Sequence, residues 1–185
     1  MPAKAATATR LPAMDETATP TRSTRPAVRV AVVMERRARP NRWEDWGFAL
    51  VDVVPHEDAF GTEARVLRDD GAVQRTLHPN FTLELYADEG KGYFLNLTSG
   101  RPVWFVVWRI DEADPSVARP ERVSLSYIEA DRWMSAEERV DNVPLSADLT
   151  EWLQAFTDAN FKPEAGRRQR PQSFLSPEER AKPRP

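Results

Sequence analysis

The sequence contains no cysteine among its 185 residues. This absence excludes disulfide bonds, thiolate-held metal or iron–sulfur sites, and a cysteine nucleophile. Glycine is scarce, with seven residues, and none of them belongs to a Walker loop or a Gly-x-Gly-x-x-Gly pattern. No apolar run approaches the roughly 20 residues that a membrane-spanning helix needs. The first residues also lack the apolar segment of a secretory signal, so we expect a cytoplasmic protein without a membrane span.

Groups that could carry catalysis are also few. The only histidines are His56 and His78, each beside a proline, and neither has metal ligands at a familiar spacing. No serine or threonine lies in a nucleophile elbow. The sequence therefore predicts no metal site, no cofactor and no catalytic residue, and we do not expect an enzyme. A hydrolase or transferase whose separated carboxylates converge in space is the remaining catalytic alternative.

Charge and proline content divide the chain into three regions. Residues 1–27 carry a net charge of +2 and are rich in Ala, Thr, Pro and Arg, which predicts a disordered tail. Residues 28–161 carry a net charge of −9 and hold most of the large apolar residues, which predicts a single folded domain. Residues 162–185 carry +4 and five prolines, which predicts a second, basic disordered tail. An acidic domain argues against nucleic-acid binding, because phosphate contacts need clustered Lys and Arg.

The central region has the pattern of a mainly β domain. Apolar or alternating runs predict strands at Val28–Met34, Gly47–Val54, Ala64–Leu67, Ala72–Leu77, Phe81–Tyr86, Tyr93–Leu97, Val103–Ile110 and Arg122–Ile128. The sequence Asp69–Asp70–Gly71 predicts a hairpin turn. About seven antiparallel strands at this spacing are typical of a sandwich or a half-open barrel.

One amphipathic helix is predicted at the end of the domain. Ser146–Asn160 places apolar residues on one helical face, with Ser146 as its N-cap. Upstream, Ser135 and Glu138 fit a capping box, whereas Val140, Val143 and Leu145 fit an extended segment equally well. We therefore predict a helical turn followed by an extended stretch over residues 131–142. The number of elements is that of a pleckstrin-homology-like domain, in which a C-terminal helix caps the strands.

Arginine and tryptophan concentrate in one segment, directly after the first apolar run. The candidate binding residues are Arg36, Arg37, Asn41, Arg42, Trp43 and Trp46. Arginine guanidinium groups suit carboxylate or phosphate, and an indole face stacks on flat groups. The segment therefore predicts a loop that binds a protein partner or an anion. The alternative is a surface loop whose tryptophans close one end of the domain.

Two further tryptophans lie on one predicted strand. Trp104 and Trp108 are four residues apart, so they share a face. We interpret them as core residues beneath the C-terminal helix, with a stacked aromatic ligand pocket as the alternative. The strand Val103–Ile110 is apolar on both faces, which predicts that it is covered on both sides.

The order of these motifs resembles an uncharacterised proteobacterial domain of unknown function that is encoded beside formate dehydrogenase genes. The resemblance lies in residues 31–55, with a strand, paired arginines and two tryptophans, and in residues 93–110 and 142–164. It implies an accessory role for a molybdenum- or tungsten-dependent formate dehydrogenase. It carries over no catalytic residue, because none is established for the family.

These observations favour a non-catalytic accessory module that docks on a protein partner, with formate dehydrogenase or its assembly factors implied by the resemblance. The alternative is a small-molecule binder that holds an anionic pterin or nucleotide-type ligand, gripped by arginine and stacked on tryptophan. The oligomeric state is left open by the sequence.

Overall fold

A computed structural model describes residues 25–39 and 45–163 of the chain. Most of both predicted disordered tails lies outside these residues. Seven strands and three α-helices follow one another: β1 (Ala27–Ala38), β2 (Trp46–Pro55), β3 (Arg65–Asp69), β4 (Val73–Glu84), α1 (Gly90–Thr98), β5 (Val103–Ile110), β6 (Ala118–Ser124), α2 (Tyr127–Ser135), β7 (Arg139–Pro144) and α3 (Ala147–Asn160). Two short 3-10 helices cover Asp58–Phe60 and Ala87–Glu89.

The strands form two antiparallel sheets. The larger sheet has the order β2-β1-β4-β3, and the smaller has the order β6-β5-β7. The sheets approach each other along β2 and β7, where the Leu50 N–H donates to Asp141 Oδ2 at 3.2 Å. The mainly β class, the seven antiparallel strands and the C-terminal helix are thus confirmed. The described strands make a two-sheet arrangement and no closed barrel.

The core lies between the two sheets and beneath α3. Trp104 and Trp108 face this core together with Leu153 of α3, as their shared face predicted. The opposite face of β5 packs Phe105 and Val107 against α2. The prediction that β5 is covered on both sides is therefore confirmed, because α2 supplies the second cover.

The predicted strand Tyr93–Leu97 is wrong, because these residues belong to α1. The short apolar run resembles a strand, but Tyr93 and Asn96 are both buried, and their separation of three residues is helical. The Asn96 amide donates to the carbonyls of Val103 and Leu125 at 2.8 and 2.9 Å, and its Oδ1 accepts from the Val103 N–H. These bonds anchor α1 to β5 and to the residue that follows β6.

The predicted capping box of Ser135 and Glu138 is wrong, because Ser135 is the last residue of a helix. The helix α2 begins after Ser126, whose hydroxyl accepts from the Glu129 N–H, and it ends at Ser135. The predicted strand Arg122–Ile128 therefore ends early, at Ser124. Downstream, the extended interpretation is confirmed by β7. The Ser-x-x-Glu spacing of Ser126 and Glu129 is the sequence signal for this helix start.

The predicted turn between β3 and β4 is confirmed. Asp69 Oδ1 accepts from the Gly71 N–H at 2.9 Å, and Asp70 Oδ1 accepts from the Val73 N–H at 2.8 Å. Gly71 has a φ of 84°, which favours glycine. After this turn, β4 (Val73–Glu84) joins most of the two segments that the sequence predicted separately as Ala72–Leu77 and Phe81–Tyr86.

Candidate functional site: a cleft at one end of the sheets

The paired arginines of the predicted loop lie inside β1, where they pair with β2 and β4. Neighbouring residues of a strand point to opposite faces, so the two side chains separate. Arg36 stacks on Trp46, with its guanidinium carbon 4.3 Å from the ring centroid, and donates to the Ser116 carbonyl at 3.2 Å. Arg37 lies on the other face, where it donates to Glu35 Oε1. The structure thus brings Arg36 and Trp46 together and places Arg37 elsewhere.

The environment of Arg37 is an ion-pair network on the outer face of the larger sheet. Glu35 is 4% exposed and also accepts from Arg75 Nε at 2.7 Å. The hydrogen bonds from Arg75 and Arg37 hold the pKa of Glu35 below its ordinary value. This network gives Arg37 a structural role, since it neutralises a buried carboxylate.

The remaining predicted binding residues, Asn41, Arg42 and Trp43, lie outside the described residues. The described residues that flank this segment, Arg39 and Asp45, are hydrogen-bonded to each other: the Arg39 N–H donates to the Asp45 carbonyl at 2.8 Å. This bond continues the pairing of β1 with β2 beyond the last strand residue. The role assigned to these three residues stays a prediction.

Trp46 lines a cleft of about 650 Å³, which we call the end cleft, and Arg36 contacts two of its lining residues, Trp46 and Ser116. It lies where the end of β1 and the start of β2 meet the end of β5 and the start of β7. Its lining consists of Arg39, Asp45, Trp46, Gly47, Phe48, Trp108, Ile110, Asp114, Pro115, Ser116 and Arg139. The lining combines aromatic surface with charges of both signs, which suits recognition of a polar partner group.

The connection between β5 and β6 forms one wall of the end cleft, and it is ordered by its own carboxylates. Asp111 Oδ1 accepts from the Ala113 and Asp114 N–H groups, and its Oδ2 accepts from Arg119 Nε at 2.6 Å. Asp114 Oδ1 accepts from the Ser116 N–H at 2.9 Å. The bond from the Ala113 N–H is the main cause that holds the pKa of Asp111 below its ordinary range. For Asp114, a side-chain hydrogen bond from Ser116 and then the Ser116 N–H lower the pKa in the same way. The wall is therefore a pre-formed surface.

Three residues of the end cleft have side-chain donors without an acceptor among the described residues, and one of these donors, the Nε1 of Trp108, is shielded from solvent. Trp108 is buried, and its Nε1 has no hydrogen-bond partner. The guanidinium of Arg139 stacks on the Trp108 ring at 5.3 Å without forming an ion pair with a described residue, and Arg39 also lacks one. A buried indole N–H without an acceptor is uncommon, because it loses the hydrogen bond that it makes to water in the unfolded chain.

Sequence reasoning missed three parts of this site. Trp108 was interpreted as a core residue, and the structure shows that it also lines the end cleft. Arg139 gave no signal, since an isolated arginine before a short strand is ordinary. The segment 111–116, with aspartates, a proline and a serine between two strands, carried the turn chemistry that would have located the cleft wall.

Carboxylates gather at a second cleft of about 550 Å³, but most of them are engaged by the fold. Those in its lining are Glu84, Asp88, Glu89 and Glu129. Ser126 Oγ donates to Glu89 Oε2 and Ser124 Oγ donates to Glu129 Oε2, both at 2.6 Å. Burial raises the pKa of Tyr93 in the same lining to about 12. Among the described residues, no group of three or more His, Asp or Glu side chains is arranged to hold a metal.

The two histidines have different surroundings. His56 Nε2 lies 2.7 Å from an Arg29 guanidinium nitrogen, which donates to it. His78 borders a cavity of about 240 Å³ beside the end cleft, and its Nε2 is buried without a partner. Burial, with a smaller contribution from the charge of Arg119, lowers the pKa of His78 to about 4.

His78 should make the protein acid-sensitive. The unfolded chain binds a proton as the pH falls through about 6.5, whereas the folded state binds it near pH 4. The free energy of unfolding should therefore fall between these two pH values and level off below them. We expect the free energy of unfolding to fall by about 2 kcal/mol. This loss is smaller than the full pKa shift of His78 implies, because solvent reaches part of the imidazole ring.

Urea unfolding at pH 7 and pH 4.5 measures this loss. His78→Gln should remove most of it, whereas His56→Gln, which keeps His78, should retain it. An unchanged pH dependence in the His78→Gln variant would show that other groups cause the acid sensitivity.

Fold and site together define a mainly β, two-sheet domain with an arginine–tryptophan cleft at one end. The chain belongs to the family described as "Protein of unknown function (DUF3305)", whose model matches residues 29–170. This confirms the resemblance to a domain family of unknown function. Neither the curated proteins nor the solved structures include a match to the chain. In the part of the chain that the structure describes, no helix has the length and apolar character needed to cross a membrane.

Proposed function

We propose that this protein is a non-catalytic accessory module that docks on a partner protein through the end cleft. The observation that carries the proposal is a pair of arginine–tryptophan stacks, Arg36 on Trp46 and Arg139 on Trp108, whose tryptophans both line the end cleft. Arginine and tryptophan are the residue types most enriched at the energetic centres of protein interfaces. A stacked guanidinium is also held in place before binding, which lowers the entropic cost of forming a contact.

The shape of the site supports the same proposal. The cleft wall at residues 111–116 is fixed by hydrogen bonds to Asp111 and Asp114, and the opposite wall is the paired start of β2. A rigid surface of this kind binds a partner without a large rearrangement. The carboxylates of Glu89 and Glu129 accept hydrogen bonds from serine hydroxyls. Because these bonds connect helices to the chain at the end of β6, they support a structural and not a catalytic role for the two carboxylates.

For the partner, we propose formate dehydrogenase or one of its assembly factors, in the cytoplasm. This part rests on the resemblance to a family encoded beside formate dehydrogenase genes. Affinity capture of the tagged full chain from its native host, grown with formate and analysed by mass spectrometry, tests it. Recovery of formate dehydrogenase subunits or molybdenum-cofactor proteins is the expected result.

The control for this capture is a Trp46→Ala variant, which should recover much less of the same proteins. If the wild-type chain recovers no such proteins, the proposed partner is wrong. If both chains recover them equally, the partner stands and the end cleft is not the docking surface.

A small anionic ligand is the second candidate, favoured by the cleft volume of about 650 Å³. Binding sites for small molecules commonly have volumes of this order. On this alternative, Arg39 and Arg139 hold phosphate groups and Trp46 stacks on the ring of a pterin or nucleotide. Thermal unfolding with added GMP distinguishes the two candidates: a raised midpoint that Arg139→Gln abolishes supports the ligand, and an unchanged midpoint opposes it.

A further inference from the structure

We infer that the outer face of the larger sheet binds a dianionic phosphate group, held by the guanidinium groups of Arg37 and Arg39. The site is a cavity of about 200 Å³, which we call the outer pocket. Its volume suits a single phosphate group, since sites for larger small molecules have roughly 300–1,000 Å³. The inference does not depend on the docking function, although Arg39 borders both cavities. The lining consists of Glu35, Arg37, Arg39, Gly47, Phe48 and Ala49.

The register of β1 and β2 builds this pocket. Glu35 and Arg37 are alternate residues of β1, so they share one face of the sheet. Their partners on β2 are Ala49 and Gly47, in that order. Because both partners are small, they leave space beside the longer side chains of β1. Arg39 is the next alternate residue and borders the same space.

Arg37 is oriented by a buried carboxylate. Glu35 is 4% exposed, and its two oxygens accept from Arg37 Nε and from Arg75 Nε. The terminal nitrogens of Arg37 have no partner among the described residues, and its side chain is 64% exposed. A guanidinium that is fixed through Nε presents its two terminal N–H groups to a ligand, and this arrangement matches two oxygens of a phosphate group.

Arg39 is positioned by the absence of a side chain at Gly47. A Cβ on Gly47 would stand 2.3 Å from Arg39 Nε, so the guanidinium lies directly over this residue. Gly47 is also the β2 residue opposite Arg37, which brings both guanidinium groups to one small pocket. Arg39 forms no ion pair with a described carboxylate, and its donors therefore remain open to a ligand.

The charge of the outer pocket favours a doubly charged anion. Among the described residues that line it, Glu35 is the single acid, and Arg75 supplies the charge that balances Glu35. The positive charges of Arg37 and Arg39 then leave a net charge of +2. Asp45 lines the end cleft but not this pocket. A phosphate dianion balances both arginines and offers acceptors to each, whereas a carboxylate balances one of them.

Isothermal titration of the full chain at pH 8 and low salt tests the inference. The probes are inorganic phosphate, glycerol phosphate as a monoester, and acetate as a singly charged carboxylate. Both phosphate probes should bind about tenfold more tightly than acetate, because they engage a second charged donor. Either phosphate probe can be the tighter one: the result identifies the free ion or the monoester as the ligand and supports the inference in both cases.

Three variants separate the geometry of the pocket from net charge. Arg39→Gln should weaken phosphate binding about tenfold, the effect of losing one charged hydrogen bond. Gly47→Ala keeps every charge but displaces the Arg39 guanidinium, so it should weaken binding to a similar extent. Arg68→Gln is the matched control: Arg68 pairs with Asp70 at 2.6 Å on the edge strand β3, and its loss should leave phosphate binding unchanged.

The inference is overturned if acetate binds as tightly as phosphate, if Arg39→Gln binds phosphate as tightly as Arg68→Gln, or if Gly47→Ala keeps wild-type affinity. Because Arg39 is exposed and does not pair with Glu35, its variant should fold. Arg139→Gln locates the anion. Phosphate binding that survives this change belongs to the outer pocket, whereas its loss would assign the anion to the end cleft and overturn the inference.

Discussion

Replacing Trp104 with alanine should lower the free energy of unfolding by about 4 kcal/mol, as expected for a fully buried large aromatic residue. Trp104 is 1% exposed and contributes to the core between the two sheets and α3. Its removal leaves a cavity that β5 cannot close, because the other face of that strand is fixed against α2. Chemical denaturation at constant pH measures the loss.

Trp46→Ala is the matched control, because it makes the same substitution at a half-buried position. Trp46 is half-buried at the start of β2 and lies outside the buried clusters, so its loss should cost about 1 kcal/mol. A loss for Trp104→Ala that is no larger than that for Trp46→Ala would contradict the core described for this fold.

The double variant Trp46→Ala/Arg36→Gln should bind the partner about 100-fold more weakly than the wild-type chain. Each residue is of the type that contributes about 2 kcal/mol or more at the centre of an interface. The combined loss should be smaller than the sum of the two single losses, because the two side chains stack on each other. Isothermal titration of the purified partner gives the affinities.

Arg37→Gln is the matched control for this loss. Arg37 is the next residue of the same strand, but it faces the Glu35 network on the outer side of the larger sheet. Its variant should bind the partner with wild-type affinity. Equal losses for the Arg36 and Arg37 variants would show that net charge, and not the end cleft, governs binding.

The elements that the sequence predicted correctly are those whose pattern is local. The strand Val103–Ile110 is continuous and apolar, and its covered position follows from that pattern alone. Likewise, α3 combines an N-cap serine with apolar residues at helical spacing, and both features are present in the structure. The Asp69–Asp70–Gly71 turn depends on backbone chemistry within three residues.

The elements that the sequence did not predict depend on contacts between distant residues. The helix α1 is fixed by Asn96, whose amide bonds the backbone of β5 and of the chain after β6. A short apolar run in the sequence could not reveal this anchor. The strand order β2-β1-β4-β3 is equally non-local, because it is set by pairing across the whole domain.

Only the part of the candidate site that is local in sequence was predicted. Arg36 and Trp46 were found because they are close in sequence and rich in binding chemistry. Trp108, Asp114 and Arg139 join them only when two sheets meet at one end. Arg37 was predicted as a binding residue because the first strand was expected to end at Met34, whereas β1 continues to Ala38 and sends Arg36 and Arg37 to opposite faces.

The most direct test of the central claim is a hydrogen-exchange comparison of the free protein with its complex with the captured partner. Docking at the end cleft predicts that the amides of residues 46–48 and 111–117 become protected, while those of the β3–β4 hairpin do not change. Protection confined to the hairpin, or to the second cleft at residues 82–89, would contradict the claim that the end cleft is the docking surface.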